Sequence, residues 1–220
     1  MTLKEKVELF IKDLENNIDE NIPKVHSQFL NDYGWPEFDP LREEISRCLI
    51  CDLCQAAITL TNHLLENFLK TMLIYNDNSG LGTTQDMRTA FKIGIEKYND
   101  KGLVETIARA KRFGIITKED GKILNQYRED FRNAYSHADK KKIFKDLKVP
   151  TQVLSLNKDL KYELGEPGDF DLSELPFVQG IAQSMLSKKS AFEYFIKVDG
   201  IIRYSLDTFG SKNRPKNNNV

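Results

Sequence analysis

Arg132, Asn133 and His137, in the run Arg128-Glu129-Asp130-Phe131-Arg132-Asn133-Ala134-Tyr135-Ser136-His137, are the residues of this chain whose types and spacing best suit chemistry. Arginine keeps its charge at any working pH and can hold a phosphate through its planar fork. Histidine exchanges a proton near neutral pH more readily than any other side chain. Together they suit phosphodiester chemistry that uses no metal. The segment reads as the last turns of a helix whose other face is apolar. Glu129, Asn133 and His137 stand at i, i+4 and i+8 and form one stripe, with Arg128 and Arg132 a neighbouring pair. Arg132 and His137 are five apart, about 140° around an ideal α-helix. They share a face only if the helix loosens near His137 or if a second subunit brings the groups together. The plain alternative is that Arg, Asn and His cap carbonyls at a helix end and pair with Glu129.

The elements that position this segment read mostly as helix. Leu3, Val7, Phe10, Ile11 and Leu14 recur at helical spacing from Thr2 to about Asn17. A loop with Asn31, Gly34, Trp35 and Pro36 follows. Asp39-Pro40 suits a helix start, with Asp able to cap and Pro fitting the first position. From there to about Tyr75 no residue breaks the pattern, and Ile45, Leu49, Ala56, Leu60, Leu64, Phe68 and Met72 form the expected buried stripe. Turn residues from Asn76 to Gly82 end it. Helices over Thr84–Tyr98 and Asp100–Phe113 are expected next, the second stopped by Gly114. Thr117-Lys118-Glu119-Asp120 resembles a capping box opening the helix that runs towards His137, with Ile123, Leu124, Tyr127, Phe131 and Ala134 on one face.

After His137 the character changes. Lys140, Lys141 and Lys142 open a basic stretch, and the alternation Gln152-Val153-Leu154-Ser155-Leu156 points to a short β-hairpin near 151–164. Gly165 to Asp171 reads as a loop. Two helices, Ser173–Leu186 and Ala191–Phe209, are expected beyond it, with Gly210 ending the second and 211–220 a disordered polar tail. The expectation is one all-α domain over 1–210.

Composition bounds the function. The 220 residues suffice for one domain with a proper core, and a formal net charge of -1 gives no global nucleic-acid signal. Locally the balance differs: thirteen Lys and Arg face seven Asp and Glu between Lys101 and Val149. A basic surface there would attract phosphates with salt-sensitive affinity, although lysine runs are often only solvated. No apolar run approaches the roughly 20 residues of a membrane span, and Met1–Asn17 lacks a signal-peptide core, so a cytoplasmic location is expected. The three cysteines, Cys48, Cys51 and Cys54, lack the fourth ligand and loop geometry of an iron–sulfur site and read as buried free thiols. His26 and His63 are isolated and read as structural; Glu66 near His63 does not make a metal cluster, and no metal or cofactor is expected.

Taken in order, these features resemble the HEPN (higher eukaryotes and prokaryotes nucleotide-binding) superfamily. Arg132, Asn133 and His137 match its Arg-x4-6-His motif with a polar residue after the Arg. Gly114-Ile115-Ile116 before a capped helix, and Glu66 followed by Lys70 on an earlier helix, also match. The resemblance covers about 41–142. It implies a helical bundle of HEPN type, usually dimeric, acting as a metal-independent ribonuclease. In that reading His137 moves the proton, Arg132 stabilises charge on the phosphate, and Asn133 orients the phosphate or His137. Glu66 holds Arg132 or His137 across the bundle; Lys70, Arg128 and Glu129 support the site; Lys140, Lys141 and Lys142 meet RNA. A role in phage defence or as a toxin with a cognate antitoxin or regulatory protein would suit that activity. The alternative is a non-catalytic module binding nucleotide, RNA or protein, as the similar mannitol operon repressor-like proteins suggest. A helical scaffold with a chance motif is the third reading.

Overall fold

The computed structural model describes residues 1–78, 84–133, 147–156, 162–171 and 176–213. Among them are seven α-helices: α1 (Leu3–Leu30), α2 (Asp39–Ile50), α3 (Cys54–Asp77), α4 (Thr84–Tyr98), α5 (Leu103–Arg112), α6 (Lys118–Tyr127) and α7 (Pro176–Asn213). A π-helical turn, Arg128–Asn133, follows α6, and strands β1 (Lys148–Leu156) and β2 (Tyr162–Asp171) pair antiparallel before α7. No described helix is long and apolar enough to cross a membrane.

Helix α3 is the centre of the bundle. It packs most extensively on α7 and also meets α2, α4 and α5. Its Leu64, Leu65, Phe68, Leu69 and Met72 are fully buried, as are Tyr194, Phe195, Val198 and Ile202 of α7. Burying a side chain of this size contributes roughly 1.5–3 kcal/mol, so this seam dominates the fold's stability.

Asp39 opens α2 but does not cap it. Its carboxylate turns back to accept from the backbone N–H of Tyr33 (2.7 Å) and Trp35 (2.8 Å), fixing the α1–α2 loop. Trp35 then packs against Phe38, Tyr75 and Phe209. Below it lies a buried polar staple. The Asp199 carboxylate accepts from Tyr33 Oη and Arg42 Nε, both at 2.7 Å. Arg203 closes the same loop by donating to the carbonyls of Asn31 and Asp32.

Several sequence expectations need correction. The helix expected to stop near Asn17 continues to Leu30, because Val25 enters the core and Asn21 donates to the Ile50 carbonyl. Those contacts outweigh the hydrogen bond lost at Pro23. The unbroken helix expected from Asp39 to Tyr75 is interrupted at Asp52, which takes φ 61°, a left-handed conformation that Asp tolerates better than most residues. The break shifts the helical register, so Ala56 is exposed and Leu60 only half-buried. The segment Gly165–Asp171 is strand rather than loop. Pro150 pairs with Asp169, and Pro167 with Gln152, which two strands that are both edges can accommodate. The hairpin is accordingly longer than 151–164. Finally, the two expected C-terminal helices are one helix of 38 residues. Ser187 and Ser190 in the polar stretch between them donate to the carbonyls of Gln183 and Leu186 one turn back, so the helix absorbs them. It also runs past Gly210 to Asn213, beyond the start expected for the tail.

Candidate functional site

The site begins with a well-made helix start. Gly114, at φ 69°, ends the α5 region in a conformation costly for any residue with a Cβ. Ile115 and Ile116 drop into the core, and Thr117 then caps α6 reciprocally with Asp120: Thr117 Oγ1 accepts from the Asp120 N–H at 3.0 Å, while the Asp120 carboxylate accepts from the Thr117 N–H. Leu124, fully buried, fixes the rotation of α6 against the bundle.

At Arg128 the helix widens into the π-turn. Such turns insert one residue into a helix and recur at functional sites. The offset of about 140° between residues five apart belongs to an α-helix and does not apply within this turn. The wider i→i+5 turn, which spans Arg128–Asn133, brings residues five apart closer to one face than an α-helix does.

Two neighbouring elements, α7 and α3, hold the turn. Phe131 stacks on Tyr194 of α7 with ring centroids 4.3 Å apart, and Tyr127 meets both rings edge-on. Tyr194 is itself fixed by its hydroxyl, which donates to Asn62 Oδ1 of α3 at 2.7 Å. Burial holds the Tyr194 phenol far above its ordinary range, with Tyr127 and Glu66 adding to the effect, so it acts only as a neutral donor. The next residue, Arg132, turns to α3. Its Nε donates to Glu66 Oε1 at 3.0 Å, and about 30% of the arginine side chain and 27% of the glutamate's remain exposed. Position 66 thus orients a guanidinium 66 residues along the chain.

The remaining proposed residues divide. Arg128 ion-pairs with Glu129, and its buried Nε has no hydrogen-bond partner among the described residues. Lys70, one turn beyond Glu66, donates instead to the Asn99 carbonyl at 2.8 Å and so ties α3 to the end of α4. Asn133 ends the π-turn. His137, Lys140, Lys141 and Lys142 lie outside the described residues. Of the other basic residues between Lys101 and Val149, Arg109 is paired with Glu105 at 2.8 Å, which reduces its value to a polyanion.

Sequence reasoning missed Asn62 and Tyr194. Nothing local marks them, because the contact joins residues 132 apart. The signal that was present is the apolar pair Tyr127 and Phe131 flanking the polar cluster, which needed a partner of this size.

Other residues singled out in the sequence fall elsewhere. Cys48 and Cys51 are half-buried, whereas Cys54 is buried at the start of α3; all three are free thiols. Cys54 fits the expectation of core thiols fully and Cys48 in part, since it packs half-buried against the core, whereas Cys51 sits at the break between α2 and α3. His26 and His63 are exposed rather than built into the core. No group of three or more His, Cys, Asp or Glu residues among those described could hold a metal. A groove of about 820 Å³ runs between α6 and α7, lined by Ile123, Tyr127, Ile196 and Tyr204 among others, but neither Arg132 nor Glu66 borders it.

No protein-family profile, curated protein or solved structure matches this chain.

Proposed function

We propose that this protein is a ribonuclease of HEPN type, with Arg132 and His137 as its working pair. The observation that carries the reading is the Arg132–Glu66 contact. A carboxylate on a rigid, core-packed helix holds the guanidinium at 3.0 Å while the arginine stays part-exposed at a π-turn. Fixed charge of this kind is what stabilises a developing anion, because no reorganisation is needed at the moment of reaction. The buried Arg42–Asp199 staple shows that an inter-helix carboxylate alone does not set Arg132 apart; its part-exposure at the π-turn does.

In the proposed reaction His137 removes the proton from an RNA 2'-OH, and the oxygen attacks the adjacent phosphorus. The bond to the 5'-oxygen breaks, that oxygen is protonated as it leaves, and a 2',3'-cyclic phosphate remains. Arg132 bears the charge that builds on the phosphate oxygens, and Asn133 orients the phosphate or His137. Glu66 is a positioning residue acting through Arg132. The resemblance also implies a dimer in which two such pairs face one cleft, in a cytoplasmic setting of defence or toxin–antitoxin type.

The test is cleavage of a mixed structured RNA in EDTA by the purified chain, beside Arg132→Ala and His137→Ala. Cleavage that survives EDTA, leaves cyclic phosphate ends and disappears in both variants supports the ribonuclease. RNA binding without cleavage, weakened by Arg132→Ala, turns the reading to a non-catalytic RNA-binding module. Equal cleavage by all three proteins removes the motif from the function.

A further inference from the structure

Helix α1 is two things at once. From Asn21 to Val25 it is part of the bundle, with Asn21 and Val25 buried and Ile18 and Ile22 packed against the core. Before that, every residue from Met1 to Asp13 is exposed. This free part is nonetheless a built helix: Thr2 and Glu5 close a reciprocal capping box at its start. It also carries an apolar stripe. Leu3 is 80% exposed, Val7 47%, Phe10 65% and Ile11 48%, and Leu14 completes the row. The spacing 3, 7, 10, 14 is the alternation of four and three that packs one helix against another. A lone helix of this length is marginal in water, and a stripe continuous with the core is expected to be covered.

The charges beside the stripe choose the cover. Lys4 is paired within the helix to Glu8 at 3.9 Å, but Lys6 and Asp13 have no ion pair among the described residues. Both flank the stripe on the same side. If two copies of the helix lie antiparallel, Leu3 meets the partner's Leu14 and Val7 meets the partner's Phe10. That register brings Lys6 beside the partner's Asp13, twice by symmetry. A parallel pair sets Lys6 beside the partner's Ile11 and gains no such contact. The polar face as a whole mixes Glu5, Glu8 and Asp13 with Lys4, Lys6 and Lys12, unlike the strongly basic face of a helix lying on a membrane.

We propose that the exposed stripe of α1 is a self-association surface, pairing antiparallel with the same stripe of a second copy. The proposal is independent of the ribonuclease reading. A two-fold interface of this kind uses the same patch on both subunits.

Sedimentation of the full chain at micromolar concentrations tests it. Relative to the wild type, Phe10→Glu is expected to lose one two-fold association step and sediment at half the mass (dimer to monomer, or tetramer to dimer where the cleft dimer also forms), with an unchanged circular dichroism spectrum. Lys6→Asp and Asp13→Lys should each raise the dimer Kd by about tenfold, since two attractive pairs become repulsive. The double variant Lys6→Asp/Asp13→Lys should return it close to the wild-type value, because the pair is only reversed. A monomeric wild type, or a dimer indifferent to Phe10→Glu, overturns the proposal. So does a double variant no tighter than the single ones. Binding of the wild type, but not Phe10→Glu, to anionic phospholipid vesicles would assign the stripe to a membrane surface instead and likewise overturn it.

Discussion

Arg132 and Glu66 meet through one hydrogen-bonded ion pair, Nε to Oε1 at 3.0 Å, that joins the π-turn to the central helix. Because both side chains keep more than a quarter of their surface in water, the pair itself stabilises the fold little, about 1 kcal/mol or less. Stability and activity should therefore separate. Urea unfolding of Glu66→Gln and Arg132→Ala is expected to stay within about 1 kcal/mol of the wild type. If the chain is the proposed ribonuclease, RNA cleavage by Arg132→Ala should fall about 10²–10³-fold. Arg132→Lys should not restore it, since an ammonium cannot keep the Nε contact and the fork together. Glu66→Gln should lie between, with a guanidinium still bonded but less firmly oriented.

The Asp199 staple predicts the reverse pattern. Arg42 and Asp199 are both almost wholly buried, at 3% exposure each, and Tyr33 donates to the same carboxylate. Removing one partner strands a buried charge, so Asp199→Ala should cost about 3–5 kcal/mol in a denaturant titration. The double variant Arg42→Met/Asp199→Leu should recover much of that loss, because the desolvation cost of both ions disappears with them. If the double variant is no more stable than Asp199→Ala, the staple's value lies in its hydrogen-bond geometry rather than in charge balance.

Alkali should weaken the protein before acid chemistry matters to these groups. Burial, with the Asp52 carboxylate beside it, pushes the Cys54 thiol up from 9.0 to about 12, and burial with Glu37 pushes the Tyr75 phenol up from 10.0 to about 12. The folded chain thus keeps protons that the unfolded chain releases. Stability from these groups is intact below the unfolded values and falls as pH rises from about 9 towards 12. Urea midpoints at pH 7, 9 and 10.5 should decline over that window, and Cys54→Ala should flatten the decline. A midpoint independent of pH up to 10.5 would count against the burial of both groups.

Much of this architecture is legible where the local chemistry is unambiguous. Thr84–Tyr98 is a helix with the bounds expected, Gly114 takes its positive φ, and Thr117 and Asp120 form their capping box. Each depends on residues within a few positions of one another. The failures have the opposite character. Asp52 breaks a helix inside an apolar run because its neighbours turn α3 back onto α2, which no local residue announces. Ser187 and Ser190 look like a boundary but bond to their own helix. The π-turn leaves no local pattern in sequence, and the contacts its residues make, Phe131 on Tyr194 and Arg132 on Glu66, reach distant parts of the chain. Glu66 could be named from a motif, whereas Tyr194 and Asn62 required the fold.

The long final helix also sets the order of events during synthesis. Its Tyr194, Phe195, Val198 and Ile202 supply one wall of the core, and their principal partner is α3, more than a hundred residues earlier. Until the ribosome releases α7, the side of α3 that it covers faces solvent, and Asn62 Oδ1 waits for the hydroxyl that donates to it. Most contacts within α2 to α6 are near in sequence and should form early, but the step that closes the core joins distant parts of the chain and carries the larger loop-closure cost. The nascent protein thus passes through an interval with a sticky, half-made bundle, in which chaperone capture and aggregation compete with folding.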